Sequence, residues 1–342
     1  MNPLRRRILQ IGLTAPAIGS SAWRTASAGD TGQCESRAIL DEGLHWTTPD
    51  GAEAVCRRIA DAGFNVLIPC VWYGQGTTWK SALAPWDRRV RAHVIRDPGY
   101  DPMRKLLSEA GRRGLEVHPW FTVARRADGV LPEYAEPVTG RNFDFYNPGF
   151  RGFMARLVDE FVSRYAVDGV NLDYVRFGGP RPGYEREREE LVSEVIEQVA
   201  DRVRRRRPGA IISVDAAPWE PTMRSYGQDC VRWADEGLID VAYSMQYQPS
   251  PSFAIVERLR ATMRRPECLT MILGNFDRAG PDGTEVRPRR ADHLARLIEQ
   301  ARVTAPGNGV AVYYYGRLSD DQVVELRASA FRREAKACWS RA

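Results

Sequence analysis

Residues 168–177 read DGVNLDYVRF, an apolar strand pattern interrupted by Asn171, Asp173 and Arg176. Burying an unpaired charge is costly, so a buried strand of this composition is expected to open into a site at one end. Side chains alternate between the two faces of a strand, and Asn171 and Asp173 therefore share one face. The segment predicts a buried strand whose inward face carries a carboxylate.

The same unit, an apolar run followed by an amphipathic helix pattern, occurs eight times after residue 36. Helix-start signals separate the runs: Asp101 and Asn147 each precede a proline, and Ser319 with Gln322 has the spacing of a capping box. Strands that alternate with helices form a parallel sheet, and eight such units over about 300 residues indicate an α/β protein with a single (β/α)8 TIM barrel. The runs are residues 38–46, 64–74, 114–123, 168–177, 210–219, 239–247, 268–276 and 309–316.

The first 28 residues have the layout of an export signal. Paired arginines at Arg5 and Arg6 precede a weakly apolar stretch and an A-x-A pattern that ends at Ala28. This layout predicts twin-arginine export of a bacterial protein to the periplasm or the medium, the alternative being a disordered basic arm. A short segment at 29–37 and the barrel at 38–337 are expected to follow.

Charge and hydropathy exclude two classes of partner. The 342-residue chain has a net charge of +5, but four of its 49 basic side chains and none of its 44 acidic ones lie among residues 1–28. The remainder is nearly neutral, which removes the electrostatic case for a nucleic-acid partner. The apolar stretch of the signal is too interrupted for stable membrane insertion. We expect a monomer that binds a polysaccharide or oligosaccharide.

Polar and aromatic residues cluster late in the apolar runs, where TIM barrels carry their chemistry. Asp173 and Asp215 are predicted to be the catalytic carboxylates: one protonates the leaving oxygen, and the other attacks the anomeric carbon or activates water. Asp277 or Glu220 would replace Asp215 if that residue does not take part. The residues predicted to bind substrate are Trp72, His118, Trp120, Asn171, Trp219, Gln246, Tyr247, Asn275 and Tyr314. Aromatic rings beside polar groups suit sugar rings and their hydroxyls.

Several of these residues also have structural interpretations. Asp173 could instead pair with Arg176, and His118 could be a hydrogen-bonded core histidine. Asp168 and Asp240 lie at the starts of their runs, far from the expected site, and are predicted to be turn or capping residues. No metal-ligand spacing is visible, so neither a metal nor an organic cofactor is expected.

Six cysteines in an exported chain permit disulfide bonds. Cys34 and Cys338 lie near the two ends of the folded part, and the ends of a closed fold meet. We therefore predict a Cys34–Cys338 bond. Cys56 and Cys70 fall within apolar patterns and are predicted to be buried thiols.

Four segments of the chain are similar to one known family. They read YAVDGVNLDYVRF, GLEVHPWF, DPMRKLLSEAGRRG and GLIDVAYSMQY. They resemble the glycosyl-hydrolase-like family ten group, which comprises exported bacterial TIM barrels related to exopolysaccharide-processing hydrolases, and the resemblance extends over roughly residues 38–320. It implies that Asp173 is the catalytic carboxylate and that His118 and Trp120 line the site. Ser244 and Met245 depart from the family, which often has a proline in this motif.

The strand at 168–177 also resembles the chitinase signature D-G-x-D-x-D-x-E. Asp168, Gly169 and Asp173 match, but Asn171 replaces the second acid and Val175 replaces the catalytic glutamate. The sequence thus predicts an exported glycoside hydrolase centred on Asp173, with a non-catalytic, lectin-like barrel as the main alternative. Hydrolysis of an amide or ester on a glycan is a further alternative, although neither a metal site nor an activated-serine motif is visible.

Overall fold

The computed structural model describes residues 33–91, 97, 99–279 and 285–339, so the predicted export signal lies outside the described residues. The strands are β1 (Gln33–Cys34), β2 (Ser36–Asp41), β3 (Val66–Trp72), β4 (Glu116–Val117), β5 (Trp120–Thr122), β6 (Gly169–Asp173), β7 (Ile211–Ala216), β8 (Val241–Gln246), β9 (Leu269–Gly274), β10 (Phe276–Ala279), β11 (Glu285–Pro288), β12 (Gly309–Tyr313) and β13 (Ala335–Lys336). The α-helices are α1 (Pro49–Asp61), α2 (Pro102–Gly111), α3 (Pro148–Arg164), α4 (Glu185–Arg206), α5 (Glu220–Ser225), α6 (Cys230–Asp235), α7 (Phe253–Thr262), α8 (Ala291–Thr304) and α9 (Asp320–Ala328).

The barrel is a closed ring of parallel strands. Around the ring the order is β2, β3, β5, β6, β7, β8, β9 and β12, and β12 pairs with β2 to close it. The short β4 lies ahead of β5 and pairs with the same neighbour, β3, so the third barrel strand is broken into two pieces. The predicted (β/α)8 fold is confirmed, and all eight apolar runs contribute a barrel strand.

Local capping defines the helix starts as predicted. The Asp101 carboxylate accepts a hydrogen bond from the Met103 N–H at 3.1 Å, and Asn147 caps α3 in the same way. Ser319 and Gln322 form the reciprocal capping box of α9. Each such cap stabilises its helix by about 1 kcal/mol. None of the helices in the described ranges combines the length and apolar composition needed to cross a bilayer.

Alternation along the strands creates two apolar layers. In β2, Ala38 and Leu40 face the barrel interior, whereas Ile39 packs toward the helices. In β8, Val241 and Tyr243 belong to the interior cluster. Continued past the end of a strand, the same alternation predicts which side chains point into the mouth of the barrel.

The amino-terminal end of the barrel is closed by the two ends of the described chain. β1 pairs in parallel with β13, and Cys34 is disulfide-bonded to Cys338 with a Cα–Cα distance of 5.4 Å. The predicted pairing is confirmed. Cys56 and Cys70 are buried free thiols, also as predicted.

The carboxylates predicted as turn or capping residues occupy that same end of the barrel. Asp168 accepts a hydrogen bond from the Val117 N–H at 2.9 Å, and Asp240 accepts one from the Ile212 N–H at 2.9 Å. Each satisfies a backbone donor at the start of a neighbouring strand, so both predictions are confirmed.

Candidate active site

A small cavity lies at the carboxyl ends of the barrel strands. Its volume is about 60 Å³, which accommodates a few water-sized groups but not a sugar chain. A bound glycan would therefore place its reacting atoms in the cavity and its rings across the mouth. The lining residues are Glu42, Tyr73, Trp120, Asp173, Tyr174, Arg176, Asp215, Met245, Tyr247 and Tyr313.

Two larger cavities, of about 360 and 320 Å³, lie elsewhere in the described part of the chain. The first is beside Trp339 at the amino-terminal end, and the second is beside α5 and α6. We assign the site to the smaller cavity because the chemistry of TIM barrels is found at the carboxyl ends of the strands.

Asp173 enters the cavity because β6 ends abruptly at this residue. The next residue, Tyr174, has a left-handed backbone with φ of 50°, and its N–H donates to Asp173 Oδ1 at 2.6 Å. A left-handed tyrosine is unfavourable and persists only where its surroundings enforce it, typically at a functional site. The turn brings Asp173, Tyr174 and Arg176 to the same cavity. Asp173 and Arg176 thus lie at the open end of this strand.

Asp215 lies beside Asp173 on the adjacent strand. The register that pairs Leu172 with Val214 brings the two carboxylates to the same level of the barrel. Asp215 is only 1% exposed, and its Oδ1 accepts a hydrogen bond from Asn171 Nδ2 at 3.1 Å. The same amide group of Asn171 donates to Ser213 Oγ at 3.1 Å. Asn171 therefore supports Asp215 from below and does not line the cavity itself.

The two aspartates have strongly raised pKa values. Burial raises the pKa of Asp173 to about 7, although the Tyr174 N–H and the charge of Arg176 act against it. Burial and then the nearby charge of Asp173 raise the pKa of Asp215 well above its usual range, while the bond from Asn171 opposes this shift. Carboxyl groups perturbed in this way are typical of acid–base sites.

Glu42 is a third carboxylate of the cavity, and the sequence reasoning missed it. It follows β2 by one residue and has the parity of Ala38 and Leu40, which face the barrel interior. Its carboxylate accepts a hydrogen bond from the Tyr313 hydroxyl. The signal that could have identified it was this parity, because its neighbour Asp41 faces outward and binds His45 Nδ1 at 2.6 Å.

Aromatic rings form the remaining wall, and Arg125 supports one side of it from outside the lining. Tyr247 and Tyr313 stack with ring centroids 4.7 Å apart. On the other side, Arg125 Nη1 donates to the Tyr174 hydroxyl at 3.1 Å and its guanidinium lies over the Tyr73 ring. These groups offer flat apolar faces together with hydrogen-bond donors, the combination that sugars require.

Of the residues predicted from sequence, Asp173, Asp215, Trp120 and Tyr247 line the cavity. Trp219 precedes α5 and is 52% exposed, so its ring is open to solvent after β7. Trp219 and the remaining predicted residues lie outside the lining of the cavity.

Trp72 corrects one of these predictions. Cys70, two residues earlier on the same strand, belongs to the interior cluster, so strict alternation would also point Trp72 inward. The pairing of β3 with β5 shifts register between these two residues, and Trp72 instead packs outward against Phe143 and Phe153. The shift places the next residue, Tyr73, in the cavity wall.

His118 points into the barrel, but it lies near the amino-terminal end and away from the cavity at the carboxyl ends of the strands. Its backbone N–H donates to the Leu67 carbonyl at 2.9 Å, and its ring fills the space that a side chain at Gly169 would need. Its Nε2 faces Glu116 Oε2 at 3.1 Å, and the Trp339 ring packs on it with a centroid distance of 5.2 Å. His118 is therefore a histidine of the amino-terminal core layer, the alternative considered from sequence.

Three further predicted residues support the rim without lining the cavity. Gln246 has the opposite parity to Tyr247, and its Oε1 accepts from the Ser252 N–H at 3.1 Å. The Asn275 side chain binds both backbone polar groups of Tyr314. Its Oδ1 accepts from the Tyr314 N–H at 2.8 Å, and its Nδ2 donates to the Tyr314 carbonyl at 3.1 Å. The Tyr314 ring itself packs beside Tyr313.

The two fallback acids are also outside the cavity lining. Asp277 pairs with Arg289 Nε at 3.0 Å, and Glu220 begins α5 and lines the separate cavity beside that helix. Neither residue is placed to act with Asp173.

Comparison with known proteins gives a consistent picture. The family model described as glycosyl hydrolase-like 10 matches residues 40–136, a segment that includes Glu42 but ends before Asp173. Glycosyl hydrolase DigH of Escherichia coli (strain K12) is 24% identical, with 55% of each chain covered. Glycosyl hydrolase YngK of Bacillus subtilis (strain 168) is 28% identical over 32% of this chain and 25% of YngK.

A solved structure, the chitinase from Chromobacterium violaceum, superimposes with a TM-score of 0.56 at 11% identity, covering 86% of this chain and 98% of the chitinase. This likeness shows the shared fold. The chain spans about half the length of DigH and a quarter of YngK. The resemblance to the glycosyl-hydrolase-like family ten group is confirmed by these matches.

Proposed function

We propose that this chain, a relative of the glycosyl-hydrolase-like family ten group, hydrolyses glycosidic bonds of a polysaccharide with Asp173 as the proton donor. The observation that carries the proposal is a buried carboxyl at the end of β6 that opens into an aromatic cavity. Its pKa of about 7 keeps a large fraction of the group protonated at neutral pH. A general acid works best when its pKa lies near the working pH.

The geometry supports a defined role for Asp173. The glycosidic oxygen would enter the cavity and take the proton of Asp173 as its bond to the anomeric carbon breaks. The positive charge of Arg176 acts on Asp173 and favours the carboxylate that remains after the transfer. A second carboxylate must act on water or on the anomeric carbon, and Glu42 and Asp215 are both in the cavity.

The departure from the chitinase signature supports a mechanism based on Asp173. Val175 stands where that signature has its catalytic glutamate, and it is fully buried. An apolar, buried side chain cannot transfer a proton, so any acid must come from another position. Asp173 is the carboxyl on the same strand that reaches the cavity.

We also propose that the protein acts outside the cytoplasm as a single chain. The Cys34–Cys338 bond supports this location because structural disulfides persist in oxidising compartments. Fractionation of cells that express the chain tests the location, and an exclusively cytoplasmic protein with reduced cysteines would contradict it.

The decisive experiment measures reducing ends released from bacterial and plant polysaccharides. The full chain is compared with Asp173→Asn and with Asp201→Asn, a control in an exposed helical ion pair with Arg205 on α4. We expect activity in the wild type and the control, and a loss of about 10³-fold or more in Asp173→Asn. Activity that survives in Asp173→Asn would move the chemistry to another residue. Glycan binding without any product would instead support a lectin-like barrel.

A further inference from the structure

The three carboxylates of the cavity come from two different walls. Asp173 ends β6 and Asp215 lies near the end of the adjacent β7, and neighbouring strands are spaced about 4.8 Å apart. Glu42 follows β2, which is separated from β6 by β3 and β5 and lies directly across the eight-strand ring from β7. Glu42 therefore approaches the cavity from the side opposite the two aspartates.

Glycosidic cleavage needs carboxyl groups on both sides of the reacting bond. One group protonates the leaving oxygen while the other acts at the opposite face of the sugar ring, either directly or through water. Two side chains that are neighbours on one wall reach the same side of a substrate. A pair that faces across the cavity, such as Asp173 and Glu42, meets this requirement.

The contacts of Glu42 also suit a working carboxylate. The hydroxyl of Tyr313, on the neighbouring β12, donates to it, and Tyr73, just after the other neighbour β3, lines the same cavity. The Tyr313 hydroxyl therefore orients the Glu42 carboxylate. Glu42 itself is only partly buried, so its oxygens remain accessible to water or substrate.

The contacts of Asp215 suit a supporting group. Its side chain is 1% exposed, and the Asn171 amide occupies one of its oxygens. Burial and then the charge of Asp173 raise the pKa of Asp215 well above its usual range, which favours the neutral form. A neutral carboxylic acid cannot act as a nucleophile or as a base.

We propose that Glu42 is the second catalytic carboxylate and that Asp215 is a positioning residue beneath Asp173, an inference that rests on the proposed function. Glu42 removes a proton from a water molecule as the water oxygen bonds to the anomeric carbon. The bond from that carbon to the leaving oxygen breaks, and Asp173 gives its proton to that oxygen. Glu42 ends the step protonated and Asp173 ends it ionised, and proton exchange with solvent restores both.

Matched substitutions separate the two roles. Glu42→Gln removes the base and is expected to lower kcat by about 10²-fold or more. Asp215→Asn keeps the shape of the neutral acid and is expected to cost less than about tenfold, because an uncharged side chain is replaced by another uncharged one. Asp201→Asn serves as the control, and circular dichroism melts establish that each variant folds.

A second readout does not depend on turnover. The charge of Glu42 contributes to the raised pKa of Asp173, so Glu42→Gln should lower the midpoint of the Asp173 carboxyl titration. Carbon-13 NMR of protein labelled at the aspartate carboxyl measures this midpoint, and Asp173→Asn identifies the signal. The control Asp201→Asn should leave the midpoint unchanged.

The outcomes separate this inference from the proposal on which it rests. A wild type that is inactive on every polysaccharide refutes the proposed function, and the catalytic role of Glu42 with it. An active wild type with an active Glu42→Gln and an inactive, folded Asp215→Asn refutes the inference alone. An unchanged Asp173 midpoint in Glu42→Gln would also overturn it, because Glu42 would then not face Asp173.

Discussion

The raised pKa of Asp173 predicts that removing this carboxyl stabilises the folded protein at neutral and alkaline pH. Burial moves the pKa from an ordinary value of 3.8 to about 7. Each pKa unit corresponds to about 1.4 kcal/mol. Ionising Asp173 in the folded protein therefore costs about 4 kcal/mol more than ionising it in the unfolded chain. Asp173→Asn abolishes this cost.

The sign of the effect follows from which state binds the proton. Below pH 3.8 the carboxyl is protonated in both states, and the cost is absent. Between pH 3.8 and 7 the unfolded chain ionises while folded Asp173 keeps its proton, so its contribution to the free energy of unfolding falls as pH rises. Above pH 7 both states are ionised, and the cost is constant.

Urea denaturation at pH 4 and pH 8 measures this contribution. The difference in free energy of unfolding between Asp173→Asn and the wild type should grow by about 4 kcal/mol from the lower to the higher pH. The altered hydrogen bond to the Tyr174 N–H adds a term common to both conditions, and Asp201→Asn controls for loss of a surface carboxyl. A difference that is the same at both pH values would refute the reasoning, because Asp173 would then titrate normally.

Three more outcomes are expected. The kcat/KM for polysaccharide should fall above about pH 7 as Asp173 loses the proton it donates, and a flat profile in stopped assays would exclude this role. Replacing Cys34 and Cys338 by serine opens a loop of 304 residues and should lower the free energy of unfolding by about 2–5 kcal/mol in urea titrations, with no change if the bond does not form. Trp219→Ala should raise KM for polysaccharide about three- to tenfold, whereas the exposed control Val303→Ala should not; equal KM values in initial-rate assays would exclude a sugar contact at Trp219.

Local physical chemistry made much of the fold readable from the sequence. Helix caps such as Asp101 and Asn147 act within three residues of their own position, so their patterns are complete in a short window. The alternation of strand and helix patterns then leaves few topologies, and the closed barrel follows.

Parity along a strand predicts which side chains near the strand ends point into the site. Glu42 shares the parity of Ala38 and Leu40, and Gln246 has the opposite parity to the interior residue Tyr243. Both placements were available from alternation alone.

The amino-acid sequence alone predicts an eight-unit barrel, its helix boundaries and a carboxyl at the end of β6. Each of these features is set by interactions between residues a few positions apart in the sequence. The packed barrel alone establishes that Trp72 turns outward at a register shift, that His118 lies at the closed end, and that Glu42 lines the same cavity as Asp173. These features depend on contacts between strands that are far apart in the sequence. No periodicity along one strand encodes how deep a side chain lies in the barrel or what stands on the opposite wall.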